Sequence, residues 1–304
     1  MKEPNWALAR KRQALTERAQ IIQDIRHFFT NRGYLEVETP HRIPANAPEP
    51  HIDVVASDAW ALHTSPELAM KRLLAAGYEQ LFQICRVWRA GERGQYHLPE
   101  FTLLEWYRAG VDYHALMTEC MELLFVLVPG GKLSRQGRVI ELAMPWQKLT
   151  VAEAFAQHAS VSLESALATD CFEEILTAEV EPQLGKDRPT FLIEYPASLA
   201  ALARTKPGEP QVAERFELYI DGLEVANAFS ELTDPLEQRS RFEVAETSRR
   251  AAGKPPYPSP EKFLAELDTM PEAAGIALGL DRLVMLLTDA VAISDVVAFT
   301  PDDL

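Results

Sequence analysis

Ile21, Ile22, Ile25, Phe28 and Phe29 fall at i, i+1, i+4, i+7 and i+8 within residues 17 to 32, a single apolar stripe at helical period. Gly33 follows where a left-handed C-terminal cap is wanted. Leu35, Val37 and Thr39 then alternate with Glu36 and Glu38, a period-2 strand that stops at Pro40. Residues 80 to 89 and 101 to 107 read as two further strands. The link between them holds Gly91, Gly94 and Pro99, so the pattern predicts an antiparallel pair with a long loop. Phe101, Leu103, Glu105 and Tyr107 share one face of the second strand, and polar groups on an aromatic face point to a lined cleft. Residues 114 to 180 look mostly helical and alanine-rich, with a helical insertion expected over 130–185. Asp221-Gly222, flanked by RFELYI and LEVANAF, predicts a type I′ hairpin that pairs Ile220 with Leu223 and Tyr219 with Glu224. In that register Arg215, Glu217, Tyr219 and Glu224 share a charged face, and Phe216, Leu218 and Val225 an apolar one. Residues 235 to 252 read as a charged surface helix closed by Gly253. Lys254 to Pro260 holds four prolines and reads as an ordered loop or a lid. GIALGLDRLVMLL reads as a short strand running into an apolar helix at Asp281. No linker divides these parts, so the expectation is one α+β domain over 1–304, mainly an antiparallel sheet flanked by helices.

Composition narrows the class without changing the fold. With 47% hydrophobic and 25% charged residues the chain has the balance of a globular protein. Thirty Lys and Arg against 45 Asp and Glu give a net charge of −15, which disfavours general nucleic-acid binding. Cys85, Cys120 and Cys171 are sparse and include no CxxC pair, so they read as free thiols. The histidines form no zinc pattern. The N-terminal stretch lacks the apolar core of a leader, and Leu123–Val128 is far too short to span a bilayer. The expected setting is the cytosol, with no membrane partner.

Three segments, in order, resemble the three motifs of class II aminoacyl-tRNA synthetases. The helix, Gly33 and the strand to Pro40 resemble motif 1, CRVWRAGERGQYHLPEFTLLEWY resembles motif 2, and GIALGLDR resembles motif 3. PEFT followed by E-x-Y, together with LEVANAFSELTD, is similar to lysyl-tRNA synthetases. TSPE, MKRLL, HLPEFTLLEWYR, YPAS, ERFELY and ALGLDRLVML are nearer still to their paralogues, the elongation factor P lysine ligases. The resemblance runs from about residue 17 to 300. Motif 1 begins by residue 20, which leaves no room before it for an anticodon-binding OB domain. The acidic charge agrees, so tRNA binding is not expected.

The resemblance implies ATP-dependent activation of (R)-β-lysine, or lysine, as an aminoacyl-adenylate, followed by transfer to a lysine ε-amine of elongation factor P. The alternatives are a truncated lysyl-tRNA synthetase and a non-catalytic lysine- and ATP-binding regulator. Arg89 would hold the α-phosphate and the carboxylate. Arg282 would hold the γ-phosphate and stack on adenine, with Phe101 on the other adenine face. Glu224 and Glu231 would lie near ATP and Mg²⁺, Glu231 also near the substrate amine, and the Val225 backbone beside the adenine or ribose. Glu105 and Tyr107 would receive the lysine side chain. Ser65, Pro66 and Glu67 match the substrate loop; the same S-P-E is also a good helix start. Gly279 would admit the nucleotide close to the backbone. Ala277 stands where lysyl-tRNA synthetases carry glycine, and its methyl would favour an amino group moved to the β-carbon. Two positions depart from the pattern. Glu92 comes one place late after Arg89, with Gly91 between, so either Gly91 offers backbone alone or Glu92 serves. Leu98 follows His97 where asparagine is usual, at the cost of a hydrogen bond to ATP unless His97 supplies it. Glu224 and Glu231 are seven residues apart, an odd spacing that turns them to opposite faces of an unbroken strand, so a bulge or strand end is expected between Ala226 and Ser230. Motif 1 implies a homodimer.

Overall fold

The computed structural model describes residues 6–143 and 145–304; the first residues of the stretch read against a leader lie outside them. Nine strands form the main sheet, in the order Leu35–Glu36, Gln80–Trp88, Glu100–Ala109, Ala273–Gly279, Leu223–Ser230, Glu209–Ile220, Thr190–Pro196 and Gln147–Thr150, with Thr205–Lys206 beside Glu209–Ile220. The outermost pair at each end is parallel and all other pairs are antiparallel.

Alternation along the central strands divides the work of the two faces. Phe82, Leu104, Trp106, Ile276, Leu278, Ala228 and Phe216 join one core with Ile25, Phe28 and Phe29 of the Arg12–Thr30 helix, and with the Tyr113–Leu127 and Leu280–Leu287 helices. The opposite face carries Leu103, Glu105, Tyr107, Ala277, Asn227 and Glu217. It is covered at one end by the Glu67–Ala75, Pro235–Ala251 and Glu261–Glu266 helices and at the other by the helices that follow Thr150. A cleft remains between those covers.

Gly33 takes the left-handed conformation expected of it, with φ +81°. The two motif 2 strands, the Asp221-Gly222 hairpin and the strand-to-helix step at Leu280 form as the pattern predicts. Two expectations need correction. The 130–185 segment is helical only after Thr150. Before it, Lys132–Arg135 pairs with Arg138–Glu141, and Gln147–Thr150 joins the main sheet. These strands are short, and LSR, VIE and KLT offer too few alternations to stand out in an alanine-rich region. The expected bulge is also elsewhere. Leu218 pairs with Ala226 and Tyr219 with Glu224, so Val225 is the extra residue. From Ala226 to Ser230 the pairing with Ala273–Gly279 is straight.

The proline-bearing segment after Gly253 is an ordered loop. Lys254 Nζ donates to the Pro50 carbonyl (2.9 Å), and Tyr257 Oη both donates to the Ile52 carbonyl (3.1 Å) and accepts from Val54 N (2.9 Å). No described helix is long and apolar enough to cross a membrane.

One buried ion pair joins the Arg12–Thr30 helix to the Leu280–Leu287 helix. Asp281 Oδ1 lies 2.5 Å from Arg18 Nη1, and its Oδ2 accepts from Thr102 N at 2.8 Å. The Asp281 side chain is 1% exposed, so Asp281→Ala strands a guanidinium and a backbone N–H away from water. We expect a loss of about 3–5 kcal/mol in denaturant unfolding; a loss within the scatter of surface substitutions would refute this role.

Candidate active site

The cleft is a cavity of about 1000 Å³. At one end stand the two motif arginines. Arg282 lies in the first turn of the Leu280–Leu287 helix. Its Nη1 donates to the Glu224 carbonyl (2.9 Å) and to Glu224 Oε2 (3.1 Å), its Nε to the Tyr96 carbonyl (3.3 Å) and its Nη2 to His97 Nε2 (2.6 Å). Burial, and then the Arg282 charge, hold His97 below the ordinary imidazole range, so it accepts from Arg282 as a neutral ring. Arg89 sits at the end of its strand, 5.1 Å from the centre of the Phe101 ring and 3.7 Å from Glu92. Gly91 has φ +80° and does not line the cavity, whereas Glu92 does. The left-handed glycine lets the chain turn back, and Glu92 takes the position beside Arg89 one residue late. Leu98, Phe101, Val225 and Gly279 line the same end. Gly279 has an ordinary φ of −68°, and a Cβ there would touch only the Arg282 side chain, so its bareness keeps space open towards the cavity.

Past Ala277, which lines the cavity, the far end of the site is acidic and lies buried behind that lining. Ser65 Oγ donates to Glu105 Oε1 at 2.6 Å and Tyr107 Oη to Glu105 Oε2 at 2.9 Å. Glu67 begins its helix as the S-P-E pattern suggests. Lys71, one turn on, places its ammonium 2.6 Å from Glu67 Oε1 and 2.5 Å from Glu231 Oε2. Neither Glu231 oxygen receives a directed hydrogen bond. Burial, reinforced by the Glu67 charge, pushes the Glu105 carboxyl up to about 8. Burial also pushes Glu231 to about 8, although Lys71 pulls against it. Burial opposes the Lys71 ammonium as well, but Glu231 and Glu67 outweigh it and hold Lys71 above the ordinary lysine value. Ala277 lies opposite Glu105 on one side and Asn227 on the other.

The structure separates Glu224 from Glu231. The bulge at Val225 returns both to one face, yet their Cα atoms stand on the order of 20 Å apart at roughly 3.3 Å per residue. Glu224 is engaged by Arg282 and Glu231 by Lys71. They do not share one ion. The carboxylate that does accompany Glu224 is Glu217, on the same face of the adjacent strand. Glu217 accepts from Tyr195 Oη (2.5 Å), Tyr219 Oη (2.6 Å) and Arg215 Nη2 (2.6 Å). Burial raises it above the ordinary carboxylate value; Arg215 opposes the rise and the nearby Glu224 charge adds to it. Among the described residues no group of three or more His, Cys, Asp or Glu is gathered to hold a metal by itself. Glu217, Arg215 and Asn227 line the cavity and were within reach of the hairpin register, which puts Arg215 and Glu217 on the charged face. Gly275 was not. A Cβ there would overlap the Tyr107 ring and Glu231 Oε1, a constraint only the packing reveals.

A sheet of this order, with an arginine on the second motif and another at the head of the last helix, defines a class II synthetase catalytic domain. The chain belongs to that family: the profile described as tRNA synthetases class II (D, K and N) matches residues 6–303. It is 41% identical over 309 residues to the elongation factor P--(R)-beta-lysine ligase of Klebsiella pneumoniae, covering 95% of each chain. The proteins of the same name from Erwinia tasmaniensis and Haemophilus influenzae are each 39% identical, covering 98% of both chains.

The raised carboxyls have a consequence for stability. Between the ordinary carboxyl value of 4.5 and about 8, the folded protein holds protons on Glu105 and Glu231 that the unfolded chain releases. Stability therefore falls as pH rises through that window. Thermal denaturation of the ligand-free protein is expected to show the decline, and Glu105→Gln to flatten it; a melting temperature constant over the window would contradict the assignment.

Proposed function

We propose that this chain is an ATP-dependent ligase that activates (R)-β-lysine as its adenylate and transfers the acyl group to a lysine ε-amine of elongation factor P. The names of the relatives support the reaction. The observation that carries it is the polarity of the site, with the guanidiniums of Arg89 and Arg282 on the cavity lining at one end and, beyond the lining residue Ala277 at the other, buried carboxylates around Ser65 and Tyr107. A substrate bridging these ends carries amines on one side and meets ATP on the other.

In the first step the substrate carboxylate attacks the α-phosphorus and pyrophosphate leaves. Negative charge grows on the phosphate oxygens, where Arg89 would bind the α-phosphate and carboxylate and Arg282 the γ-phosphate. Arg282 is already oriented by Glu224, Tyr96 and His97, so it loses little freedom when ATP binds. Phe101 offers one face for adenine and the Arg282 plane the other, with Val225 beside them. Leu98 supplies apolar contact in place of a hydrogen bond. Glu217 and Glu224 would hold a Mg²⁺ ion: they are hard-oxygen ligands on one face of paired strands, both lining the cavity, and ATP would supply the remaining oxygens. Bound there, the ion neutralises phosphate charge. Glu105, Glu67 and Glu231 would take the two substrate ammonium groups, and the Ala277 methyl would favour the β-amino isomer. This reading sets the enzyme beside its acceptor in the cytoplasm, without a role in tRNA binding.

ATP–pyrophosphate exchange tests it. Exchange is expected to be stronger with (R)-β-lysine than with L-α-lysine, and to fall by about 10²–10³ in Arg89→Ala. Ala277→Gly is expected to move the preference towards L-α-lysine by roughly 10–200-fold. Silence with both amino acids would refute adenylation, and exchange without a mass gain on elongation factor P would refute the acceptor.

The same reading includes a homodimer through the Arg12–Thr30 helix and the strand after it. Light scattering at micromolar concentration is expected to give twice the 34.1 kDa chain mass; a monomer would count against it.

A further inference from the structure

The cavity wall holds a carboxylate that the first half-reaction leaves unused. Glu49 stands between Pro48 and Pro50, so both neighbours have fixed φ and Glu49 itself is confined to extended backbone. The strap is pinned from behind by Arg249, which is wholly buried. Its Nη1 donates to the carbonyls of Glu49 and Ile52 (both 2.9 Å), and its Nη2 pairs with Asp53 at 3.0 Å. Lys254 holds the Pro50 carbonyl, and Ala90 N donates to the Asp53 carbonyl at 2.7 Å, which ties the strap to the residue after Arg89. Glu49 lines the cavity. Among the described residues its carboxylate has no hydrogen-bond or ion-pair partner. The charges facing it are Arg89 and Glu92 from motif 2, Arg215 from the hairpin and Glu67 from the helix start.

We propose that Glu49 is the general base of the acyl-transfer step, taking a proton from the acceptor lysine as its nitrogen attacks the adenylate carbonyl. The proposal rests on the ligase reading above. An acceptor amine with a pKa of about 10.4 arrives as an ammonium, without a lone pair. A first proton passes from the ammonium to the Glu49 carboxylate and on to solvent, which frees the lone pair. The N–C bond forms, the bond from carbonyl carbon to phosphate oxygen breaks, AMP departs with that electron pair, and the second proton passes from the same nitrogen to the regenerated Glu49 carboxylate. The proton then leaves Glu49 for solvent. Other bases near the reacting carbonyl are engaged: Glu92 pairs with Arg89, His97 accepts from Arg282, and Glu105 and Glu231 belong to the amine end. Burial pushes the Glu49 carboxyl up to about 7, with Arg89 holding back part of the rise, and a base of that strength matches neutral pH.

The experiment is single-turnover transfer from the preformed enzyme-bound adenylate to elongation factor P, followed over pH. For the wild type the rate is expected to rise to a plateau with a midpoint near the Glu49 value of about 7. Glu49→Gln is expected to lose at least about 100-fold at neutral pH and to show no plateau, its rate climbing with the free amine of the acceptor. The deficit is expected to shrink sharply when hydroxylamine, already neutral at that pH, replaces the acceptor. Glu49→Asp should keep a plateau, with its midpoint moved to acid, and it carries the test if the glutamine variant does not fold. Wild-type rates in Glu49→Gln, or an unchanged pH midpoint in either variant, would overturn the proposal. A wild-type adenylate that elongation factor P never discharges overturns the ligase reading and this one with it, and is recognised because it fails without any substitution.

Discussion

A single extra residue decides which face of the sheet the site uses. In a strand, successive side chains alternate, so a slip of one position sends the whole set to the other side. Val225 is that extra residue: it lets Glu224 pair with Tyr219 while Ala226 pairs with Leu218. Without it, Asn227, Phe229 and Glu231 would enter the apolar core and Ala226 and Ala228 would face the cleft. The core helices would then meet a carboxylate and an amide where they now meet alanines, at a cost no packing adjustment offsets. Because Ala273–Gly279 pairs straight against the stretch that follows, the bulge also sets the register of Ala277 against Asn227 and, through it, against Glu105.

The site on that face is built on unequal charge. At the buried end three carboxylates, Glu67, Glu105 and Glu231, are met by one lysine. Lys71 answers Glu67 and Glu231, and Glu105 has only the neutral donors Ser65 and Tyr107. Negative charge is therefore in excess before a ligand arrives, and protonation is what relieves it, as the raised Glu105 and Glu231 carboxyls record. A ligand with two ammonium groups relieves it better. At the open end the pairing is one to one, Arg89 with Glu92 and Arg282 with Glu224. The cavity orients its occupant through this difference, and the row Glu105–Ala277–Asn227–Glu217 fixes its length.

Much of this was legible in the residues. The Arg12–Thr30 stripe, the motif 2 strands, the Asp-Gly hairpin and the last strand and helix all follow from local period and turn chemistry. Glu105 and Tyr107 declared themselves as polar groups on an aromatic face. Less was legible where the cause is tertiary. The bulge at Val225 leaves no mark in composition, since a valine beside a glutamate fits a regular strand equally well. Glu217 stood on the charged face of the predicted hairpin, but its place beside Glu224 requires the turn, the bulge and the buried tyrosines together. Lys71 reads in sequence as an ordinary i, i+4 partner of Glu67, and its second partner, Glu231, comes from a distant strand. Glu49 lies in a segment without period, and its significance depends on Arg249, two hundred residues on, holding its carbonyl.

Two small residues on one strand show how the fold separates architecture from selectivity. Gly275 pairs with Tyr107 and Phe229, and a methyl there would meet the Tyr107 ring and Glu231. Its absence of side chain serves the protein: it makes room for Tyr107 and Glu231. Ala277 is two residues further on the same face, yet its methyl borders the cavity. Adding or removing that methyl changes the space offered to a ligand without displacing a wall. A methyl is worth only about 1–3 kcal/mol of discrimination, small against folding but enough to choose between isomers that differ in where one amine sits. Selectivity can drift at position 277 while position 275 is held by packing, because the first faces a ligand and the second faces the protein.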